Sequence, residues 1–213
     1  MPLTILITGF GPFPGAPFNP TEILVRRLVR LRRPALADVR LVPHVFVTSY
    51  AAVDRELPSL IRRHKPDALL MFGLAGRTPH LRIETSARNA VAAAADADRY
   101  APTMHAIARG RPGRLALRTP ARRLLAGARA ARVPAALSRD AGRYLCNYLC
   151  WRATEAAQEN GGPKLAAFVH VPLVRRARLP VSRTRKKAVT MTGLARAGRE
   201  FLRVMASAAA LTS

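Results

Sequence analysis

The sequence contains little cysteine. Its two cysteines, Cys146 and Cys150, lie close together in a chain of 213 residues, so there is no disulfide framework of the kind that stabilises small secreted domains. A structural zinc site needs about four ligands, and this pair supplies only two, without a histidine at a typical spacing. We therefore expect two free thiols, no metal and no other cofactor.

Long hydrophobic runs are also absent. No stretch approaches the roughly 18 apolar residues that a membrane-spanning helix needs. A secretory signal begins with a basic region followed by an apolar run. The N-terminal segment MPLTILITGF has a short apolar run but no basic region before it. The sequence predicts no membrane partner and a cytoplasmic location, where a reducing environment would keep both cysteines as thiols.

Acidic residues are scarce. There are 12 Asp and Glu against 36 Lys and Arg, for a net charge of +24, and such a charge attracts anionic partners, including nucleic acid. However, the basic residues are spread along the chain. The one concentrated run, residues 175–187, lacks the interleaved aromatic residues on which single-strand binders stack bases. We favour a solvated basic surface over nucleic-acid binding, which stays as the second hypothesis.

Apolar residues are plentiful and fall into an alternating order. The predicted strands cover 3–10, 39–47, 67–75, 81–89 and 164–172, and the predicted helices cover 21–33, 51–64, 120–132, 142–160 and 190–205, the last capped by Thr190 or Thr192. Residues 92–114 have no clear period and are predicted to be a loop. Because strands alternate with helices, we expect one α/β domain over 1–213, a three-layer α/β/α sandwich around a mixed, mostly parallel sheet.

Both cysteines occur in the segment RDAGRYLCNYLCW, on a predicted helix that begins near Gly142. Cys146 would lie in the first turn, where free backbone N–H groups and the helix dipole favour a thiolate. Cys150 would lie one turn deeper on the same face, where a buried, inert cysteine is expected. From the residues alone, Cys146 is either a nucleophile or another packing residue of the helix.

Two further residues could serve a nucleophilic cysteine. His170, in FVHVP, stands near the end of an apolar strand, where active sites of α/β sheets form; the alternative is a structural histidine. Glu84, in LRIETSARN, is an acid that could orient an imidazole. Its alternative role is a salt bridge to Arg82 or Arg88 on a solvent face.

The N-terminal loop GFGPF contains glycines but lacks the spacing of a phosphate-binding loop. Phe10 and Phe13 instead indicate an apolar wall beside a strand end. The alternative is a hydrophobic lid over the core.

Three segments together resemble the pyroglutamyl peptidase I family, cysteine peptidases that remove an N-terminal pyroglutamate. GFGPFPGAPFNP is similar to the family's GFxPF…NP opening, AGRYLCN to its AG-x-[YF]-[VL]-CN nucleophile motif, and FVHVP to its histidine motif. The resemblance extends from Leu3 to about Met205. It implies a phosphorylase/hydrolase-type fold, a small peptide substrate with a blocked N-terminus, and a homo-oligomer, either tetramer or dimer.

The resemblance also implies roles for individual residues. Cys146 would be the nucleophile, His170 the general base and then acid, and Glu84, from the match of ETSARN to ER-x-A-x-N, the group that orients the histidine. The implied substrate-binding residues are Phe10, Phe13 and Tyr144 around the lactam ring, Asn19 at the substrate loop, and Leu74.

The sequence departs from the family pattern where the substrate would bind. The family's GQAGG turn is GLAGR here, so Leu74 replaces a glutamine, and VAAAADADRYAP replaces a DARIPDN-like segment. An apolar Leu cannot form the hydrogen bonds of a glutamine. The alternative prediction is therefore a divergent member, with an altered amide substrate or with lapsed catalysis and a basic binding surface.

Overall fold

A mixed six-stranded sheet forms the centre of the protein. The computed structural model describes residues 2–13, 15–30, 36–174 and 189–212. In chain order its elements are β1 (Leu3–Phe10), α1 (Pro20–Val29), β2 (Val39–Phe46), α2 (Tyr50–His64), β3 (Ala68–Leu74), β4 (Leu81–Glu84), β5 (Ser86–Arg88), β6 (Arg114–Ala116), α3 (Ala121–Ala130), β7 (Ala135–Ser138), α4 (Leu145–Ala156), β8 (Leu165–Val171) and α5 (Met191–Ala210). The main sheet has the order β2-β1-β3-β8-β4-β7, and β5 pairs with β6 in a separate ribbon.

The burial of the central strands agrees with their parallel pairing. β1, β3 and β8 are nearly continuous apolar runs, and their residues are buried along almost their whole length, as expected for parallel strands covered on both faces. β2, β1, β3 and β8 pair in parallel, whereas β4 pairs antiparallel with β8 and parallel with β7. The predicted mixed, mostly parallel sheet is confirmed.

Helices cover both faces of this sheet. One hydrophobic cluster packs α1, α3 and α5 against it through residues such as Leu24, Leu124 and Phe201. A second cluster on the opposite face packs α2 and α4 through residues such as Leu57 and Trp151. The three-layer α/β/α arrangement predicted from the alternation of strands and helices is therefore present.

Side-chain caps define the start of three helices. Asn19, Ser49 and Thr190 each accept a hydrogen bond from a backbone N–H in the first turn of α1, α2 and α5, respectively. Thr190 is thus the cap, of the two threonines that the sequence offered. α5 continues beyond Met205 to Ala210, because its buried face continues through Ala208 and Ala209.

Several predicted boundaries were wrong. The single strand predicted over 81–89 breaks at Thr85, so that β4 joins the main sheet and β5 joins the ribbon. α4 begins at Leu145 rather than near Gly142, because Gly142 has a φ of +86° and Tyr144 is extended. The short strands β6 and β7 were missed altogether.

Other predictions concern the less regular parts of the chain. The predicted loop over 92–114 is irregular until β6, which begins at Arg114. The basic run over 175–187 and the end of the first predicted helix, residues 31–33, lie outside the described residues. No helix within the described ranges is long and apolar enough to cross a membrane.

Candidate active site

A cavity of about 160 Å³ opens where the carboxyl ends of β1, β3 and β8 meet the start of α4. Crevices at the carboxyl ends of parallel strands are the usual binding sites of open α/β sheets. Its lining residues are Phe10, Phe13, Asn19, Thr48, Leu74, Ala141, Gly142, Arg143, Tyr144, Leu145, Cys146 and His170. Seven of the eight residues predicted for the site line this cavity, and the eighth, Glu84, lies behind it.

Cys146 is the second residue of α4 and is partly exposed to the cavity. The late start of the helix places this thiol nearer to the N-terminus than the sequence indicated. The backbone N–H groups of a helix's first turn have no partner within the helix, and Tyr144, the residue at the N-cap, contributes no side-chain hydrogen bond. These N–H groups and the helix dipole both favour negative charge at this position.

Gly73, in β3, gives the thiol its space. A Cβ atom at this position would lie 2.7 Å from Cys146 Sγ and 2.8 Å from Phe168 Cζ, so any larger residue would displace the sulfur or the ring. Gly73 is also the register partner of His170 in β8. The sequence analysis missed this residue, whose signal is a glycine inside an otherwise apolar strand.

His170 connects the thiol to Glu84. Its side chain is buried, its Nδ1 lies 2.8 Å from Glu84 Oε1, and its ring is also hydrogen-bonded to Cys146. Burial by itself lowers the pKa of His170, but the charge and hydrogen bond of Cys146, followed by those of Glu84, outweigh it and raise the pKa to about 9. The imidazole therefore holds its proton at neutral pH.

Glu84 is fully buried at the end of β4. Its Oε1 faces both His170 Nδ1 and Arg82 Nη2, the latter at 3.1 Å, whereas its Oε2 has no hydrogen-bond partner among the described residues. The alternative of a salt bridge on a solvent face is wrong, because the bridge to Arg82 is formed by a buried carboxylate that also binds the histidine.

The recognition wall, defined here as Phe10, Phe13, Asn19, Leu74 and Tyr144, forms another part of the cavity lining. The rings of Phe13 and Tyr144 lie 6.2 Å apart, centre to centre. Phe10 is buried, and it serves both the core and the cavity. The wall can therefore hold a flat, uncharged group by contact with its rings.

The polar side chains of this wall are engaged within the protein. Asn19 donates through Nδ2 to the carbonyl of Gly11 at 3.0 Å and accepts from the N–H of Thr21 at 3.1 Å. The hydroxyl of Tyr144 donates to the carbonyl of Ala95 at 2.8 Å. These bonds fix the shape of the wall and leave few side-chain groups to bind a ligand.

Asn147 is a further residue that the sequence analysis missed. It follows Cys146, is fully buried, and its side chain accepts from the N–H of Arg88 and donates to the carbonyls of Arg88 and Ala90, each at 2.9 Å. It thus holds the segment after Glu84 against the helix of the cysteine. The available signal was the CN pair of the quoted motif, a polar residue on a buried helix.

Asp96 stabilises part of the segment 92–114, which has no clear hydrophobic period in the sequence. Its buried carboxylate accepts from the N–H of Tyr50 at 3.0 Å and from two N–H groups of its own loop. The neighbouring Ala95 accepts the hydroxyl of Tyr144. The segment that departs from the family pattern therefore backs the recognition wall.

Cys150 differs from Cys146 in its surroundings. It is fully buried in the hydrophobic cluster beneath the sheet, and burial, followed by the charges of Glu84 and Cys146, raises the pKa of its thiol. Both cysteines are free thiols. In the described part of the chain, no group of three or more His, Cys, Asp or Glu side chains is placed to hold a metal ion.

Similarity to known proteins identifies the family of this chain. A family model for pyroglutamyl peptidase matches residues 3–192. The chain is 32% identical over 173 residues to a pyrrolidone-carboxylate peptidase of Thermococcus onnurineus, covering 81% of this chain and 84% of the relative, and 35% identical over 172 residues to pyrrolidone-carboxylate peptidase 1 of Ralstonia nicotianae, covering 79% and 78%.

The fold is similar to that of a solved relative. The structure of the pyrrolidone carboxyl peptidase from Thermococcus litoralis superposes with a TM-score of 0.87 at 25% sequence identity, covering 99% of this chain and 96% of that one. The family expected from three short motifs is confirmed by a match over most of the sequence and by the fold. The chain belongs to the pyroglutamyl peptidase family of cysteine peptidases.

Proposed function

We propose that the protein hydrolyses the amide bond after an N-terminal pyroglutamyl residue, through a Cys146–His170–Glu84 triad and an acyl-enzyme. The observation that carries the proposal is the series of thiol, imidazole and buried carboxylate at the cavity, with His170 bonded to Cys146 on one side and 2.8 Å from Glu84 on the other. A nucleophile, a base within reach and a third group that orients the base are the parts of such a triad.

The raised pKa of His170 determines how the reaction begins. His170 takes the proton of Cys146 as general base, and because its pKa is raised to about 9, the imidazolium keeps that proton while the sulfur reacts. The thiolate attacks the carbonyl carbon, a C–S bond forms, and the carbonyl oxygen becomes negative. Free N–H groups at the start of α4 would stabilise this oxyanion.

Collapse of the tetrahedral intermediate breaks the C–N bond. The departing amine takes the proton of His170, which acts as general acid, and a thioester remains on Cys146. A water molecule then gives a proton to His170 and attacks the thioester. The pyroglutamate leaves, and the thiolate and imidazolium are restored.

The recognition wall suits the acyl group of this substrate. A lactam ring is flat and neutral, and the aromatic sides of Phe13 and Tyr144 offer it contact area without a charge to desolvate. Leu74 favours a second candidate, a peptidase whose preferred acyl group is less polar than the lactam, because the side chain of Leu74 forms no hydrogen bond and the amide of Asn19 is engaged with Gly11 and Thr21. Both candidates use the same triad.

The experiment is turnover of a chromogenic pyroglutamyl amide. We expect Cys146→Ser to lower kcat/KM by at least about 10³-fold, with Cys150→Ser as the matched control that retains activity, since Cys150 is buried away from the cavity. Iodoacetamide should label Cys146 faster than an ordinary free thiol. Retained activity in the Cys146 variant, or no turnover together with salt-sensitive nucleic-acid binding, would contradict the proposal.

A further inference from the structure

Arg82 lies beside the triad but has no role in the reaction steps proposed for it. It lies in β4 two residues before Glu84, and the antiparallel pairing of β4 with β8 sets it opposite His170. Its Nη2 is 3.1 Å from Glu84 Oε1, the same oxygen that faces His170 Nδ1. One carboxylate oxygen therefore lies between two positively charged groups.

A second set of bonds ties Arg82 to the loop before the cysteine. Its guanidinium donates to Ser138 Oγ, from Nη2 at 2.9 Å and from Nε at 3.3 Å, and also to the carbonyl of Asp140. The next residues, Ala141 and Gly142, line the cavity. Arg82 thus links the acid of the triad to the loop that leads to Cys146.

We propose that Arg82 is a positioning residue for catalysis, which holds the Glu84 carboxylate oriented against His170 through the shared Oε1 and limits how tightly that pair retains its proton. The proposal rests on the proposed function of the triad. It concerns a residue that acts through Glu84 and does not itself touch the reacting atoms.

The charge argument follows from the shared oxygen. Glu84 is fully buried, and its Oε2 has no partner in the described chain, so all its stabilising contacts meet at Oε1. Without Arg82, His170 would be the one described side chain bonded to the carboxylate, and the nearby positive charge that opposes protonation of the imidazole would be gone. Both changes make the Glu84–His170 pair hold its proton to higher pH, although His170 must release that proton to the departing amine.

A salt bridge with a purely structural role would behave differently. Its loss would lower the free energy of unfolding and the fraction of active protein, but it would leave the pH at which the imidazole titrates unchanged. The pH dependence therefore distinguishes the two roles.

The test compares three variants of the full chain. Arg82→Met removes the charge while keeping an unbranched side chain, and Arg82→Lys restores the charge. Arg88→Met is the matched control, because Arg88 binds the same loop through Asp140, with Nη2 to Oδ2 at 3.1 Å. For each variant kcat and KM are measured across the pH range in which the imidazole titrates, and the His170 signal, assigned with His170→Asn, is titrated by NMR.

For Arg82→Met we expect kcat to fall roughly tenfold with little change in KM, since misplacement of a catalytic group by a fraction of an ångström has effects of this order. The apparent pKa of His170 should rise by at least about half a unit, because a neighbouring cation has been removed. Arg82→Lys should return this pKa to that of the unmodified protein, and Arg88→Met should not change it. Should the Met variant fail to fold, Arg82→Gln, which also removes the charge, gives the same measurement.

The proposal is overturned if the His170 titration is the same in Arg82→Met as in the unmodified protein, or if Arg88→Met shifts it equally. The NMR titration needs no substrate. It therefore tests Arg82 even if the pyroglutamyl amide is not hydrolysed, an outcome that would contradict only the proposed function.

Discussion

The two sides of the cavity are built in opposite ways. In the catalytic corner, defined as Cys146, His170 and Glu84, the polar groups bind one another. On the recognition wall, the polar groups of Asn19 and Tyr144 bind the surrounding backbone. The side chains of the corner are thus arranged to react with one another. The side chains of the wall set its shape, and a ligand there would be bound mainly by contacts with the rings and by backbone groups.

This difference sets the size of effect expected from a change on each side. General acid–base groups and nucleophiles contribute factors of about 10² to 10⁴ in rate. A single hydrogen bond to a bound group contributes about 1 kcal/mol, which is less than tenfold. The corner should therefore respond to substitution in kcat by orders of magnitude, and the wall should respond in selectivity by small factors.

Of the changes that test this difference, substitution of Gly73 should have the largest effect. Gly73→Ala should lower kcat by roughly 10²-fold or more, because the new Cβ would lie 2.7 Å from Cys146 Sγ and would displace the thiol from His170. Turnover of the pyroglutamyl amide, combined with urea unfolding, separates loss of geometry from loss of fold.

The matched control is Gly76→Ala in the following turn. A Cβ there would have its nearest neighbour, Leu173 Cδ1, at an ordinary 3.5 Å, so activity should be kept. Equal losses in both variants would show that the space beside the sulfur is not what the corner requires.

The next prediction is that kcat, which depends on the corner, changes with pH, whereas KM, which depends on the wall, does not. The pKa of His170 is raised to about 9, so the imidazolium is present at neutral pH and is lost as pH rises through about 9. We expect kcat to fall about tenfold for each pH unit above that value, because the general acid for the departing amine is gone.

On the recognition wall, burial, followed by the charges of Asp96 and Cys146, raises the pKa of Tyr144 above its usual 10, so KM should stay constant over the same range. Initial rates at several substrate concentrations and pH values check both statements. A fall in kcat that begins near pH 7, or a KM that rises in parallel, would contradict the assignment of the proton to His170.

The sequence predicted those parts of the site that depend on local features. Cys146 lies at a helix start and His170 at the end of an apolar strand, and each position can be recognised within a short segment. On the recognition wall, Phe10 and Phe13 were likewise predicted from their place beside a strand end, whereas Asn19, Leu74 and Tyr144 were implied by the family resemblance. Motif resemblance then joined segments that are distant in the chain.

The parts that could not be predicted depend on how distant elements pair and pack. Arg82 meets His170 only because β4 pairs antiparallel with β8, and Gly73 meets Cys146 only because α4 packs against β3. The break at Thr85 was missed for the same reason: β4 and β5 have one continuous alternating pattern in sequence but join different sheets. β7 is a short, half-buried edge strand, which gives little hydrophobic signal.

The smallest expected effect is on the wall itself. Leu74→Gln places an amide at the end of β3, within the cavity lining, where it can donate to or accept from the lactam. We expect the preference for a pyroglutamyl amide over a cyclopentanecarbonyl amide, which has the same ring size but no lactam, to increase about fivefold, the value of one additional hydrogen bond. The ratio of the two kcat/KM values measures this preference directly.

Leu74→Met is the matched control, because it changes the shape of the side chain without adding a strong hydrogen-bonding group. It should leave the ratio unchanged, and kcat for the pyroglutamyl amide should be similar in both variants, since neither touches the catalytic corner. If glutamine leaves the ratio as it is, the lactam must already be bound fully by backbone groups, and Leu74 is only a spacer. If kcat falls strongly in Leu74→Gln alone, the two sides of the cavity are coupled. The assignment of rate to the corner and of selectivity to the wall is then wrong.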